Sequence, residues 1–428
     1  MDTLGSGDTG GGEMCENADE CDDVEECTSD SCANGICEHV PVQDGTECFF
    51  EGVCVGGNCR ALCDSAGVEG FCDNTPVADE TPCAGGICQS GACALSGTIL
   101  PCTEQGIRNA IAAGGGPYTF ECDGPTAVTT EAGILIDNDV ILIGEGNLKV
   151  DGNGTADETM GVSEGVTVEL RGIAVANARD RGILNSGTLV FASGTVSTNR
   201  GGGILNLESG VLTLRDVTIS DNTCAIDCDG AGIFNSGVLT LTDSTVSGNA
   251  ARGGGGGILA AGPGATTTIV NSTISGNTAA AEGGAISANG GVVTVANCTI
   301  SGNTSLESLG SLADADNLIV TNTIIDGDCS NTVISSNGYN IESPGNTCGF
   351  DQVGDQVDVT AAELNLGPLQ NNGGPTDTHE PGGGGGSGSF AIDQIPGADC
   401  GVSTDQRGQP RPETGGTMCD VGAFEVQP

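Results

Sequence analysis

Five short stretches repeat one alternation of apolar and polar positions: SGTVSTNR at 193–200, DVTISDNT at 216–223, DSTVSGNA at 243–250, NSTISGNT at 271–278 and NCTISGNT at 297–304. In each, one apolar residue (Val196, Ile219, Val246, Ile274, Ile300) sits between a Thr and a Ser. A period of two predicts a strand with one buried side. A second apolar strand precedes each copy: TLVF 188–191, VLTL 211–214, VLTL 238–241, TTIV 267–270 and VVTV 292–295. Ahead of three of these lies GILN 182–185, GILN 203–206 or GIFN 232–235, read as a turn. Asn177, Asn199, Asn222, Asn249, Asn277 and Asn303 mark the period, at spacings of 22 to 28 residues, and NTIIDGD (322–328) closes the series.

A repeat of this length, made of short strands and turns, predicts a solenoid in which each unit buries its apolar side against the next. With no helix in the unit and no L-x-x-L-x-L pattern, the expected fold is all-β, a parallel β-helix. Roughly eight to ten coils about 4.8 Å apart are expected.

Aligned by coil, the motif falls into columns. Its first position reads Ser193, Asp216, Asp243, Asn271, Asn297, Asn322, and its last Asn199, Asn222, Asn249, Asn277, Asn303, Asp328. Asn and Asp tolerate left-handed backbone and bond neighbouring backbone, and repeated every coil they are expected to stack as ladders. The apolar column faces in and the Thr column out. The second position (Val217, Ser244, Ser272, Cys298, Thr323) faces in as well. Cys298 is therefore expected to be a buried free thiol, which leaves one other Cys unpaired.

Outside the repeats the pattern changes four times. Residues 1–14 read as a flexible Gly/Ser/Asp tail. Residues 15–95 form a Cys-rich module with a duplication, in which Cys48, Cys54 and Cys59 align with Cys83, Cys88 and Cys93. In residues 96–125, Ile107, Ala110 and Ile111 fall at helical spacing after Thr103 as N-cap, so a capping helix is expected before the β-helix of 126–345. Residues 346–428 lack the repeat and hold a Gly run, EPGGGGGSGSF (380–390), expected to be a loop.

Composition adds three constraints. Aromatic residues are 3 % and Trp is absent, so aliphatic stacking must fill the core. The chain holds 58 acidic residues against 11 Lys plus Arg, a net charge of −47, which argues against nucleic acid and anionic lipid as partners. Of its 22 Cys, thirteen fall between Cys15 and Cys93. That density implies a disulfide framework and an oxidising, extracytoplasmic compartment. Zinc fits poorly, since the only His residues are His39 and His379. The pairs Cys102/Cys122, Cys224/Cys228, Cys329/Cys348 and Cys400/Cys419 are the candidate bridges outside the module. No apolar stretch approaches 18 residues, so no transmembrane segment is expected. The start, MDTLGSGDTGGGEMC, does not read as a signal peptide, which leaves the export route open.

The wording of the repeats and of the tail also carries a resemblance. The tail reads LGPLQNNGGPTDTH (366–379), AID (391–393), DQRGQPRP (405–412) and CDVGAFE (419–425). With the repeats, residues 100–428 resemble bacterial surface β-helix proteins with polymorphic-outer-membrane-protein-like repeats and a C-terminal choice-of-anchor Q type domain. The Gly run departs from that pattern, and CDDVEECTSDSCANGICEH (21–39) resembles Cys-rich repeats of surface proteins. The resemblance implies a secreted or surface-exposed right-handed β-helix, released or held through its N-terminus. The expected function is structural or adhesive contact with extracellular glycan, matrix or other cells, without catalysis.

Two alternatives remain open. One is a polysaccharide lyase or glycoside hydrolase acting on acidic polysaccharide, with Arg179, Asp180, Arg181, Arg200, Asp221, Asp227 and Asp229 as candidates near one edge of the early repeats. That rests on fold analogy. Paired carboxylates for inversion need about 6.5–9.5 Å, which Asp216 and Asp243 on adjacent coils do not offer. No Ser-His-Asp set is expected, because His39 and His379 fall outside the rod. The other alternative is self-association into a filament. Calcium is the one cofactor considered, with Asp19, Asp22, Asp23 and Asp30 as candidate ligands.

Overall fold

The computed structural model describes residues 98–427 except 225–228, 307–309, 314–316, 330–333 and 384–387, together with the backbone of short strands in the first 97 residues. The chain divides into two units, Met1–Gly97 and Thr98–Pro428.

In the first unit, strands Thr28–Ala33 and Ile36–Pro41 pair as a hairpin. Two three-stranded antiparallel sheets follow. Cys54 pairs with Cys59 in one and Cys88 with Cys93 in the other, the register the duplication predicts. The candidate calcium ligands Asp19, Asp22 and Asp23 lie outside the described residues, as does the side chain of Asp30.

The second unit is a parallel β-solenoid. Each regular coil lays down three main strands, and four coils add a two-residue strand (Thr223–Cys224, Ala250–Ala251, Thr278–Ala279, Thr304–Ser305) that forms a small sheet of its own. A five-residue strand (Thr188–Ala192, Val211–Arg215, Val238–Thr242, Thr266–Val270, Val292–Ala296) builds the broad face. A three-residue strand (Thr195–Ser197, Thr218–Ser220, Thr245–Ser247, Thr273–Ser275, Thr299–Ser301) builds the narrow face. The rear face is an eight-stranded sheet from Ile134–Ile136 to Leu312–Ala313. The GILN segments belong to this sheet: Arg181–Asn185, Gly202–Asn206 and Ile233–Asn235 are strands, not turns. Their Gly residues suggested a turn. They are needed instead because a Cβ at Gly203 or Gly232 would stand 2.5 or 2.4 Å from a backbone oxygen of the next coil.

The repeating motif maps onto this geometry position by position. Its first residue makes the bend between the broad and narrow faces. Ser193, Asp216, Asp243, Asn271, Asn297 and Asn322 all have φ between 51 and 53°, the left-handed region that Asn and Asp tolerate. A second left-handed column ends the narrow face at Asn177, Thr198, Asp221, Gly248, Gly276 and Gly302. The last Asn of the motif is not left-handed, contrary to expectation. It turns inward and is buried.

There Asn199, Asn222, Asn249, Asn277 and Asn303 form a ladder. Each Nδ2 donates to the next Oδ1 at 2.8, 2.9, 2.9 and 2.9 Å. The ladder stops there, and Asp328 is exposed. A second ladder, not foreseen, runs behind the rear face from Asn185 to Asn206 (2.7 Å), Asn235 (2.8 Å) and the Thr267 hydroxyl (2.9 Å). These polar columns close the corners of an aliphatic core. Val196, Ile219, Val246, Ile274, Ile300 and Ile325 are fully buried in one stack, and Phe191 is the bulkiest of the fully buried side chains.

At the start of the rod, the helix Glu104–Ala113 is N-capped by Thr103, whose hydroxyl accepts from the Gly106 N–H. It contributes Ile107, Ala110 and Ile111 to the same core. Disulfides join Cys102 to Cys122, Cys329 to Cys348 and Cys400 to Cys419. Cys224 is disulfide-bonded, with Cys228 and Asp227 outside the described residues. Cys298 is free and buried.

The tail does more than close the far end. Cys348 and Phe350 join the solenoid core. From Val359 onward the chain builds a small core of its own on Ile324, with Ile341, Ile395 and Val421. The tail then lies along the narrow face.

Candidate functional site

The outward columns of the narrow face are not solvent-exposed throughout, contrary to expectation. Thr195 and Thr218 are half-buried, whereas Thr245, Thr273 and Thr299 are buried because the tail covers them. Gln406 Nε2 donates to the Thr245 hydroxyl at 3.0 Å, and Gln406 Oε1 accepts from Thr273 at 2.7 Å. The Ala423 N–H donates to Thr299 Oγ1 at 3.0 Å.

The bend column changes chemistry where its side chains bond the tail's backbone. Asp216 and Asp243 occupy the earlier coils. From Asn271 on, the side chains are amides that donate to tail carbonyls: Asn271 to Thr404 (3.2 Å), Asn297 to Cys400 (2.8 Å) and Asn322 to Asp399 (2.9 Å). A carboxylate cannot donate, so the switch from Asp to Asn is the sequence record of the docked tail.

His379 belongs to this contact, not to a segment apart from the rod. Its ring bonds Ser275 Oγ at 2.9 Å through Nε2 and the Gly367 carbonyl at 2.7 Å through Nδ1. Burial lowers its pKa, so the neutral ring donates from Nδ1 and accepts from Ser275. With His379 and Ser275 each 7 % exposed, the pair is a fastening between tail and rod.

The tail's charged residues form a buried network. Arg411 Nε lies 3.1 Å from Glu425 Oε2, and Arg411 Nη1 donates to the Gly422 carbonyl at 2.8 Å. Asp405 accepts from Arg407 Nη2 (2.7 Å) and from the Glu425 N–H (3.0 Å). Burial pushes Asp420 up to about 6 and Glu425 to about 7. Asp243, buried under the tail beside Asp216, is raised to about 6. The segments DQRGQPRP and CDVGAFE are thus the polar interior of the tail.

Among the described residues proposed for catalysis, Arg181 has Asp180 and Asp229 near it. Arg179 pairs with Asp157. Arg181 lies 4.0 Å from Asp180 and 6.0 Å from the Phe234 ring centre, and bonds the Gly230 carbonyl. Burial lowers its pKa, opposed by the charges of Asp180 and Asp229. Asp229 accepts from the Gly254 N–H at 2.7 Å. Asp221 sits at a left-handed position of the second bend column. Asp216 and Asp243 are neighbours in register, each 4.0 Å from Arg215 Nε.

Arg200 lines a cavity. An open polar cleft of about 520 Å³ lies over the first coils, lined by Thr129, Asp151, Asn153, Gly154, Asn177, Thr198 and Arg200. Its floor is a chain of bonds: Lys149 Nζ to Asp151 Oδ2 (2.9 Å), Asn177 Nδ2 to the same oxygen (2.7 Å), and Thr198 Oγ1 to Asn177 Oδ1 (2.9 Å). Burial alone would raise the Asp151 carboxyl, but Lys149, the Asn153 N–H and Asn177 outweigh it and hold it below its usual value. Among the described residues no cluster of three His, Cys, Asp or Glu groups could hold a metal, and no helix is long and apolar enough to cross a membrane.

No family model matches the chain, and no curated protein does. Among solved structures it resembles the crystal structure of pectate lyase Pel9A, at 14 % identity and a TM-score of 0.46, covering 74 % of this chain and 90 % of that one. At this distance the likeness assigns no residue a role.

Proposed function

We propose that the protein is an extracellular, non-catalytic binding solenoid of a bacterial surface type, contacting glycan or protein of its surroundings through its uncovered broad face. The observation that carries this is repetition. The broad-face strands TLVFA, VLTLR, VLTLT, TTTIV and VVTVA stack in register, presenting Val or Thr at the first two outward positions of every coil. Binding spread over equal coils suits a repetitive partner, where weak contacts add through multivalency. The disulfides fit an oxidising compartment. The repeat and tail wording support a surface protein with a choice-of-anchor type tail.

The cleft around Arg200 favours a second reading, a lyase acting on acidic polysaccharide. The two separate in one experiment. The protein is incubated with acidic polysaccharides and calcium, unsaturated products are followed by ultraviolet absorbance, and co-sedimentation with the same polymers and with neutral ones is measured. Binding without product is the expected result. Product that disappears in Arg200→Ala or Arg181→Ala would replace the binding reading with the enzymatic one.

A further inference from the structure

We propose that the broad face is an ice-binding surface, and that its partner is the ordered lattice of crystalline water. This keeps the reading above that the broad face is the binding surface, and replaces glycan or protein with ice as its partner.

Successive coils present Thr213, Thr240, Thr268 and Thr294 in one column, paired Cα to Cα without a register shift. Two residues earlier on each strand stand Val211, Val238, Thr266 and Val292, with the three valines 39, 44 and 41 % exposed. The two columns therefore form a grid, about 4.8 Å between coils and about 6.6 Å along the strand. The spacing between coils is close to the shorter oxygen repeat on the faces of ice.

Chemistry narrows the partner further. Val and Thr are β-branched and held to few rotamers, so methyls and hydroxyls repeat in fixed positions instead of averaging over several. The four column hydroxyls take no partner among the described residues, whereas the narrow-face hydroxyls of Thr245, Thr273 and Thr299 are bonded by the tail. They remain available to water.

Charge points the same way. In a chain of net charge −47, the outward positions of these five strands carry one charge, Arg215, and that guanidinium turns to Asp216 and Asp243 at the bend. A neutral face on so acidic a body disfavours a second copy, which long-range repulsion keeps away. It also disfavours a charged polymer, which the face has nothing to pair with. Stacking on sugar rings requires exposed aromatics. The outward positions of these strands have none, and Phe191 faces the core. A neutral lattice with the period of the coils fits these strands better than a charged polymer or a second copy.

The test uses the full chain, with single-crystal ice and polycrystalline ice films as probes. The wild type is expected to lower the freezing point below the melting point, shape growing crystals and suppress recrystallisation. Thr240→Lys and Thr268→Lys, which put a strongly hydrated charge at the grid's centre, are expected to lose most of this. Ser220→Lys on the narrow face is expected to retain it. Circular dichroism checks that all three fold. A wild type no more active on ice than an equally acidic globular protein overturns the inference, as does full activity in both Thr variants. Co-sedimentation with polymers, run on the same samples, keeps the two readings apart. Ice inactivity with polymer binding lost in Thr240→Lys removes the lattice and leaves the broad face as a binding surface. Polymer binding unchanged in both Thr variants removes the face itself.

Discussion

Asn222 and Asn249 stand one coil apart inside the rod, and Asn249 Oδ1 accepts two bonds from Asn222, from its amide nitrogen at 2.9 Å and its backbone N–H at 3.0 Å. Asn249 Nδ2 in turn donates to the Ile219 carbonyl (3.0 Å) and to Asn277 Oδ1 (2.9 Å). Every polar group of the side chain is used, in a place with no access to water. Such a network is stabilising only while complete.

Removing one rung should therefore cost more than one bond. Asn249→Ala leaves the Asn222 N–H, the Asn222 amide and the Ile219 carbonyl without this partner, at about 1–3 kcal/mol for each buried group left unsatisfied. Asn249→Asp keeps the acceptor but sets a carboxylate oxygen against Asn277 Oδ1 and the Ile219 carbonyl, so it should destabilise at neutral pH and recover partly in acid. Urea denaturation of the three proteins measures this. An unchanged midpoint in Asn249→Ala would remove the ladder as a source of stability.

The docked tail makes a sharper prediction at the bend column. Asn297 is 1 % exposed and donates to the Cys400 carbonyl. Asn297→Asp is nearly isosteric, yet it turns a donor into a second acceptor. The expected cost is about 1–3 kcal/mol at neutral pH. Hydrogen exchange should locate that loss in residues 399–425 and the underlying Thr273 and Thr299 strands. Asp216→Asn, in a coil where the column meets no tail carbonyl, should leave exchange there unaltered.

Acidity should tighten the same contact. Asp243 and Asp420, at about 6, and Glu425, at about 7, are raised above the ordinary carboxyl range chiefly by burial. A carboxyl with a folded pKa above its unfolded one binds protons more readily in the folded state, so stability falls as pH rises between the two values. From pH 8 down to about 6.5 the melting temperature should rise. Below that the buried neutral His379, which the unfolded chain protonates more readily, opposes the carboxyls, and below about 4 the melting temperature should fall as the Asp151 carboxyl, held below its usual value, takes up a proton. Relief of the overall negative charge works in the same direction above pH 5. Calorimetry of Asp243→Asn isolates the buried group: its melting temperature should vary less between pH 8 and 5 than that of the wild type.

How far the sequence carried these conclusions depended on whether the signal repeated. The columns through Val196, Ile219, Val246, Ile274 and Ile300 gave the strands and the inward side, because a period of two over five coils has one solution. The ladder at Asn199 to Asn303 was legible for the same reason. GILN was misread because Gly suggests a turn in isolation, while here it marks close approach between coils. The second ladder was missed although Asn185, Asn206 and Asn235 repeat as plainly, because the segment had been given to a turn. The tail's path was hidden because docking onto Thr245 and Thr273 links residues more than 130 positions apart. Its trace was the change from Asp243 to Asn271. Arg200 is legible as a candidate, but Asp151 and Asn153, which share its cleft, lie outside the motif, and Asn177 reads there only as the first of the repeated Asn residues.

Cys298 interrupts the run of hydroxyl residues at the motif's second position between Ser272 and Thr323. The second column carries a hydroxyl ladder. Ser244 Oγ accepts from the Val217 N–H (3.1 Å), Ser272 Oγ from the Ser244 N–H (3.1 Å), and Thr323 Oγ1 from the Cys298 N–H (3.2 Å). Between them Cys298 substitutes a thiol, which donates weakly to the Ala296 carbonyl and accepts the Ser272 N–H. Burial pushes this thiol up to about 12, so it should stay unmodified by iodoacetamide in the native protein and react only after denaturation, as peptide mass mapping would show. Cys298→Ser restores the column's own chemistry and should leave stability within about 1 kcal/mol of the wild type, since a stronger acceptor offsets the lost apolar contact. Cys298→Ala removes the acceptor from a buried N–H and should destabilise by about 1–3 kcal/mol. If alanine proved the better replacement, the column would be a packing stripe whose hydroxyls are incidental, and NCTISGNT would differ from NSTISGNT by nothing that the fold can feel.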